Sequence, residues 1–156
     1  MLNYAYGSEE PGRVTLTDRL GRKADYHYNG KTGVFNITEF SGRKSTIYYF
    51  MRYDVAYLGK VRKIVDGRGR TVVSYRYDKL TGNVIRIRDM AGNDMNFAYN
   101  DFDEVRLVTR RGAEQDSPEP VAGFRYDSRR NLTEVMRLDA SGRAVTTTSI
   151  RYDGAN

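Results

Sequence analysis

Apolar and polar residues alternate with a period of two through most of the chain. Thr71, Val73, Tyr75 and Tyr77 fall on one side of the alternation, and Val72, Ser74 and Arg76 on the other. Met95, Phe97 and Tyr99 repeat it, as do Ala122, Phe124 and Tyr126. A period of two predicts half-buried β-strands and argues against helices. The segments that follow these strands come in two spacings. Val14, Leu16 and Asp18, then Phe35, Ile37 and Glu39, then Val105, Leu107 and Thr109 keep the strict period. Val61, Ile64 and Asp66, and likewise Val84, Ile87 and Asp89, carry one residue more. One inserted residue would turn every later side chain to the opposite face unless a β-bulge absorbs it. Bulges are therefore predicted within 61–66 and 84–89. Leu132, Val135, Leu138 and Asp139 are spaced still more widely, and their spacing alone leaves the local geometry open.

The alternating strands end on a signature: an apolar residue or Tyr, any residue, Tyr, then Asp or Asn in most copies. Its second tyrosine is Tyr6, Tyr28, Tyr53, Tyr77, Tyr99, Tyr126 and Tyr152, at spacings of 22, 25, 24, 22, 27 and 26 residues. With Tyr4, Tyr26 and Tyr75 at its first position, the signature holds ten of the 13 tyrosines, which makes the chain a tandem repeat rather than a mixed sequence with local likenesses. Between copies sits a second signature, an acidic residue three positions before a glycine. It reads Asp18 to Gly21, Glu39 to Gly42, Asp66 to Gly69, Asp89 to Gly92 and Asp139 to Gly142, with Thr109 to Gly112 as a weakened copy. Aspartate at the first position of a turn bonds back to the backbone, and glycine at the fourth accepts the left-handed conformation, so each copy predicts a hairpin closed by a glycine bulge. The fold class expected is all-β, a single array of tandem antiparallel hairpins over residues 1–156.

Two segments depart from the pattern. Tyr48, Tyr49, Phe50 and Tyr57 make 44–59 rich in rings, enough to cover both faces of a strand. Glu114 to Pro120 contains two of the three prolines and is expected to protrude as a loop at a hairpin tip.

Composition narrows the chemistry. With no cysteine, disulfides, thiolate nucleophiles and Cys-ligated metals are excluded. His27 is the lone histidine and has no second imidazole to share a metal with. The carboxylates recur as turn residues, and no Gly-x-Ser-x-Gly elbow or phosphate-cradling glycine loop occurs. No catalytic, cofactor-binding or metal-ligating residue is expected, and the reading is not an enzyme. No apolar run is long enough to span a membrane as a helix, and Met1 to Tyr4 do not begin a secretory signal. The net charge of +6 would suit an acidic partner, but 26 basic residues are interleaved with 20 acidic ones, and nucleic acid is not an expected partner. Arg52, Arg76, Arg125 and Arg151 all occupy the middle slot of the Tyr signature, where in-register hairpins would align them on the face opposite the tyrosines. They are the candidate site for a glycan or other polyanion, set against plain cross-strand pairing with neighbouring acids.

Tyr75-Arg76-Tyr77-Asp78, then Gly82-Asn83-Val84, then Asp89 to Gly92 and Asn93 together resemble the YD repeat of RHS proteins, a group that includes teneurins and toxin-complex shell proteins. The resemblance extends over essentially the whole chain. It implies a spiralling sheet of successive hairpins able to enclose a hollow shell, and a role in encapsulating a C-terminal toxin or in forming an extracellular scaffold. It also implies a secreted or surface-associated protein whose partners are flanking repeats or a toxin domain. The Asp-Pro segment of complete shells has no counterpart, since Pro11, Pro118 and Pro120 do not follow an aspartate. Both ends fall inside a repeat, so the expectation is a segment of a larger protein whose sheet edges invite edge-to-edge self-association.

Overall fold

The computed structural model of the chain describes residues 3–6, 11–51 and 56–153, the first four as backbone alone. Every regular element among them is a strand, and every strand pairs antiparallel. Residue contacts separate into two compact units that divide at Gly82.

The first unit contains β1 (Asn3–Tyr6), β2 (Arg13–Thr17), β3 (Lys23–Asn29), β4 (Val34–Thr38), β5 (Lys44–Tyr49), β6 (Val61–Asp66) and β7 (Thr71–Tyr77). The second contains β8 (Val84–Asp89), β9 (Asp94–Tyr99), β10 (Val105–Arg111), β11 (Glu119–Tyr126), β12 (Leu132–Leu138) and β13 (Ala144–Ser149). Within each unit strands adjacent in sequence are neighbours in the sheet, with no crossover. That meander follows from the short loops, since two antiparallel strands need only a tight turn between them.

Register shows how the widely spaced apolar residues are accommodated. Tyr48 faces Lys63 and Tyr49 faces Val61, so Arg62 is the looped-out residue and lies inside the stretch where a bulge is predicted. Across β8 and β9 the pairs Arg86–Asn96, Ile87–Met95 and Arg88–Asp94 run without a shift. A shift also appears where the sequence suggests a regular strand. Val105 faces Tyr99 and Leu107 faces Ala98, leaving Arg106 extra. The apolar partners on the tyrosine face of β10 are therefore Val105 and Val108, three apart, and Leu107 turns to the other face. In β12 Leu132 faces Tyr126 and Glu134 faces Arg125, so Thr133 is extra and Leu132 and Val135 take the same spacing of three.

The weakened turn copy also behaves differently from the others. β10 runs straight through Thr109 to Arg111, and the turn forms later, with the Gln115 amide donating to the Gly112 carbonyl at 3.1 Å. Threonine has no carboxylate to accept the pair of turn amides that Asp18, Asp66 and Asp139 each accept on Oδ1, so nothing stops the strand at 109. The tip loop is correspondingly shorter than the prolines suggest. Glu119 and Pro120 belong to β11, where Pro120 faces Thr109 beside a register shift, a place that tolerates a missing amide donor.

Within each unit the strands form one layer, so apolar side chains are shared between neighbouring strands and few of those described are fully covered. Ala24, Val65 and Val108 are the buried hydrophobic residues, and the largest fully buried side chain is a charged one, Asp94.

Candidate functional site

Several hairpin turns are built by the aspartates that open them. The Leu20 and Arg22 amides both donate to Asp18 Oδ1 at 2.9 Å, while the Asp18 amide donates to the Arg22 carbonyl at 3.0 Å. Asp66 accepts from the Arg68 and Arg70 amides, and Asp139 from those of Ser141 and Arg143, at 2.9 Å each. Gly21, Gly42, Gly69, Gly92 and Gly142 take φ between 77° and 89° in these turns. Gly112, which opens the displaced turn, does not share that conformation. The hydrogen bonds hold the turn carboxyls below their ordinary range: the Arg70 amide leads at Asp66, the Ser141 hydroxyl at Asp139, the Asn131 amide at Asp127.

The signature tyrosines have a common job that their spacing did not disclose. The Tyr77 hydroxyl donates to the Val61 carbonyl at 2.8 Å, and that of Tyr99 to Val84 at 2.8 Å. Tyr126 donates to Val105 at 2.9 Å, and Tyr152 to Leu132 at 2.9 Å. Tyr77, Tyr99 and Tyr126 each reach the first residue of the strand before their own, and Tyr152, three residues past β13, reaches the first residue of β12. At Val61, Val105 and Leu132 that residue flanks the looped-out Arg62, Arg106 or Thr133, where the ladder is interrupted and a carbonyl needs another donor. Burial pushes the phenols of Tyr77, Tyr99 and Tyr126 above the usual tyrosine value. Tyr28 instead packs edge-on against Phe35 and Tyr49, with ring centroids 6.4 and 6.0 Å away. Tyr53 lies outside the described residues, as does the side chain of Tyr6.

Of the four candidate arginines, Arg52 is likewise outside the described residues. Arg76 projects to solvent from β7 in the first unit. Arg125 and Arg151 belong to the second unit. Arg125 is engaged across the sheet by Glu134, its direct partner in register, at 3.1 Å. Arg151 is exposed and lines a groove of about 400 Å³ with Asp127, Arg129 and Tyr152. His27 sits half-buried on β3 between Arg13 and Asn36 in register. Among the described residues no group of three or more His, Cys, Asp and Glu is placed to hold a metal ion. Among the same residues no helix is long and apolar enough to cross a membrane.

The charged centre of the second unit is made of other residues. Asp94 opens β9 with 2% of its surface exposed. Arg88 on β8 grips it through two parallel bonds, Nε to Oδ1 at 2.7 Å and Nη2 to Oδ2 at 2.8 Å. Arg111 on β10 adds Nη2 to Oδ2 at 2.7 Å, and Arg86 Nε stands 3.9 Å from Oδ1. The hydrogen bonds from Arg88, opposed by burial and seconded by Arg111 and Arg86, hold the Asp94 carboxyl far below the carboxylate range. The pattern was readable in principle. Arg86 and Arg88 alternate on one strand, Asp94 follows the turn directly, and the extension of β10 past Thr109 brings Arg111 level with it.

Two ring clusters mark the first unit. Phe50, Tyr57 and Tyr77 pack together with centroids 4.7, 5.9 and 5.7 Å apart, and Tyr75 stacks on Tyr77 at 6.4 Å. Tyr48 and Tyr49 diverge to opposite faces of β5, Tyr48 beneath the Lys63 ammonium at 4.6 Å and Tyr49 against Tyr28. The sequence matches no family model.

Proposed function

We propose that the chain is a non-catalytic structural module of the RHS, or YD-repeat, type, forming part of a β-shell that encloses a toxin or part of an extracellular scaffold. The observation that carries this reading is a repeated device rather than a site. Four times a signature tyrosine donates to the backbone of the strand before it, at 2.8–2.9 Å, and each of these hairpins is entered or left through an acid-initiated turn. Such repetition makes each hairpin depend on its neighbours, which suits a wall or scaffold better than a unique reaction centre. The ring-rich clusters are accounted for by packing, and the turn carboxylates of Asp18, Asp66 and Asp139 are occupied by backbone donors.

The test uses the polypeptide as its source cell makes it, recovered with an antibody against residues 11–153. A mass far above 17.9 kDa together with a hollow particle in electron micrographs is the expected result. A species of 17.9 kDa that hydrolyses a substrate reproducibly, with turnover lost on mutating one side chain, would overturn the proposal.

A further inference from the structure

The polar face of β8, β9 and β10 is laid out as a grid. Arg88, Asp94 and Arg111 are direct partners across the three strands, and so are Arg86, Asn96 and Thr109 one row away. On each strand the two residues are two apart, and no register shift separates them, so all six lie on one face. The Asn96 amide reaches the Thr109 hydroxyl at 3.5 Å. Three guanidiniums gather around one carboxylate, Arg88 and Arg111 bonded to it and Arg86 3.9 Å away, which makes this face of the three strands rich in arginine.

We infer that this grid is a binding site for an anionic polysaccharide, with Arg86, Arg88 and Arg111 contacting its sulfate or carboxylate groups and Asn96 and Thr109 its hydroxyls. Three features carry the assignment. A structural role for Asp94 is met by Arg88 alone, whose Nε–Nη2 edge already occupies both carboxylate oxygens. Arg111 spends Nη2 on the same oxygen, and its side chain, like that of Arg86, is close to one-third exposed. A guanidinium has five N–H donors in a rigid fork, so both Arg88 and Arg111 keep donors outside their bonds to Asp94. Tethering to a buried carboxylate also fixes the long side chains in advance, which removes much of the ordering cost of gripping an anion.

The same face decides between polyanions. The rings of β9, Phe97 and Tyr99, belong to the opposite face, and Ala98 stands in the next position of this one. Bases of single-stranded nucleic acid are held chiefly by stacking on aromatic side chains, and the grid has none to give. An amide and a hydroxyl flanked by guanidiniums match a sugar chain bearing acidic groups. The site uses none of Arg52, Arg76, Arg125 or Arg151, and it does not depend on the scaffold reading.

The experiment is a titration of the whole chain with a heparin octasaccharide, followed by calorimetry at several salt concentrations and by backbone amide shifts. Binding that weakens steeply with salt is expected, with the largest shifts at Asn96, Thr109 and Arg111. Joint replacement Arg86→Gln and Arg111→Gln should lower affinity by about tenfold, the loss of one charge-assisted bond or more. Joint replacement Arg43→Gln and Arg68→Gln removes the same charge from exposed turns of the first unit and should change affinity less than about twofold. N- and O-desulfated heparin separates the two anionic groups, since retained binding assigns carboxylates and lost binding assigns sulfates. Equal losses in both double variants, shifts centred elsewhere, no binding by the parent chain, or stronger binding to a single-stranded oligonucleotide of equal charge would each overturn the assignment. The shift map comes from the unaltered chain, so the answer survives a variant that fails to fold.

Discussion

The two units consolidate similar hairpins with different chemistry. In the first, the end of β5, the loop after it and β7 meet in a ring cluster of Phe50, Tyr57, Tyr75 and Tyr77, with Lys60 Nζ 5.6 Å from the Tyr77 centroid and bonded to the Gly82 carbonyl at 2.6 Å. In the second, β8, β9 and β10 meet on a buried carboxylate held by arginines. Ring packing gains from area removed from water and is indifferent to salt, whereas the arginine network gains from charge and pays for desolvation. A single-layer sheet offers little depth to either. Each unit therefore concentrates its cohesion at one place where strands can bury something from both sides.

The largest expected effect breaks the charged centre. Asp94→Ala leaves three neighbouring guanidiniums without their counter-charge. The cost expected is about 3 kcal/mol, the lower end of what breaking a buried pair costs, because the arginines are partly exposed and rehydrate. Hydrogen exchange should rise in β8–β10 and stay unchanged in β2–β5; a uniform rise, or none, would refute the division of labour. The same centre sets a pH dependence. The folded Asp94 carboxyl titrates below its unfolded value of about 3.9, so its contribution is complete above that value and disappears as pH falls through the folded one. Acid should loosen β8–β10 in exchange measurements of the parent chain, and the difference between parent and Asp94→Ala should shrink on acidification.

Next in size is Phe50→Ala, which removes the ring in contact with both Tyr57 and Tyr77. A fully buried phenylalanine would cost ~3–5 kcal/mol, and Phe50 is half-buried, so about 2 kcal/mol is expected. Raising salt should leave this loss unchanged while altering that of Asp94→Ala. Chemical denaturation at two salt concentrations decides it, and a salt-sensitive Phe50→Ala would erase the contrast.

Smaller still is the device both units share. Tyr77→Phe in the first and Tyr126→Phe in the second each delete one hydroxyl donor and leave a strand carbonyl short of a partner, for about 1 kcal/mol apiece. Equal losses would sharpen the comparison, showing that the units differ in their clusters and not in their repeats. A loss at only one of them would show the repeat itself to be unequal.

The repeat was legible from sequence because its parts are local. Period-two alternation, an acid three residues before a glycine, and a tyrosine at the end of a strand each act within a few residues of themselves. What escaped depends on pairing. Leu107 looks like the partner of Val105 by spacing, yet a looped-out Arg106 makes Val108 the partner instead. Thr109 looks like a turn until the absence of a carboxylate lets β10 continue to Arg111. Asp94 reads as one more loop acid until register sets Arg88 and Arg111 on either side of it. The signature arginines drew notice through repetition, while the arginines that converge share no slot. Convergence across strands is a property of register, and register is fixed only when bulges are placed.

The subtlest difference between the units lies in their turns. In the first, every positive-φ residue among those described is glycine, Gly69 among them, with nothing within 4 Å of where a Cβ would sit. In the second, Asp103 at φ 63° and Arg130 at φ 70° take the same region with full side chains, and both use them. Asp103 accepts from Asn83 at 2.8 Å. Arg130 donates Nε to Glu104 at 2.7 Å and Nη2 to the Phe102 carbonyl at 2.6 Å, tying one loop to the next. A left-handed conformation costs a non-glycine residue about 1 kcal/mol or slightly more, so Arg130→Gly relieves strain while it cuts the tie. The tie is an ion pair between an exposed arginine and a largely covered Glu104, which salt weakens from the arginine's side, and the strain is backbone geometry that salt does not touch. Arg130→Gly should therefore gain on the parent as salt rises and become the more stable of the two in concentrated salt. Denaturation midpoints across a salt series measure this, and a difference that stays constant with salt would mean that the arginine contributes through packing on the Phe102 ring, 5.5 Å away, rather than through charge.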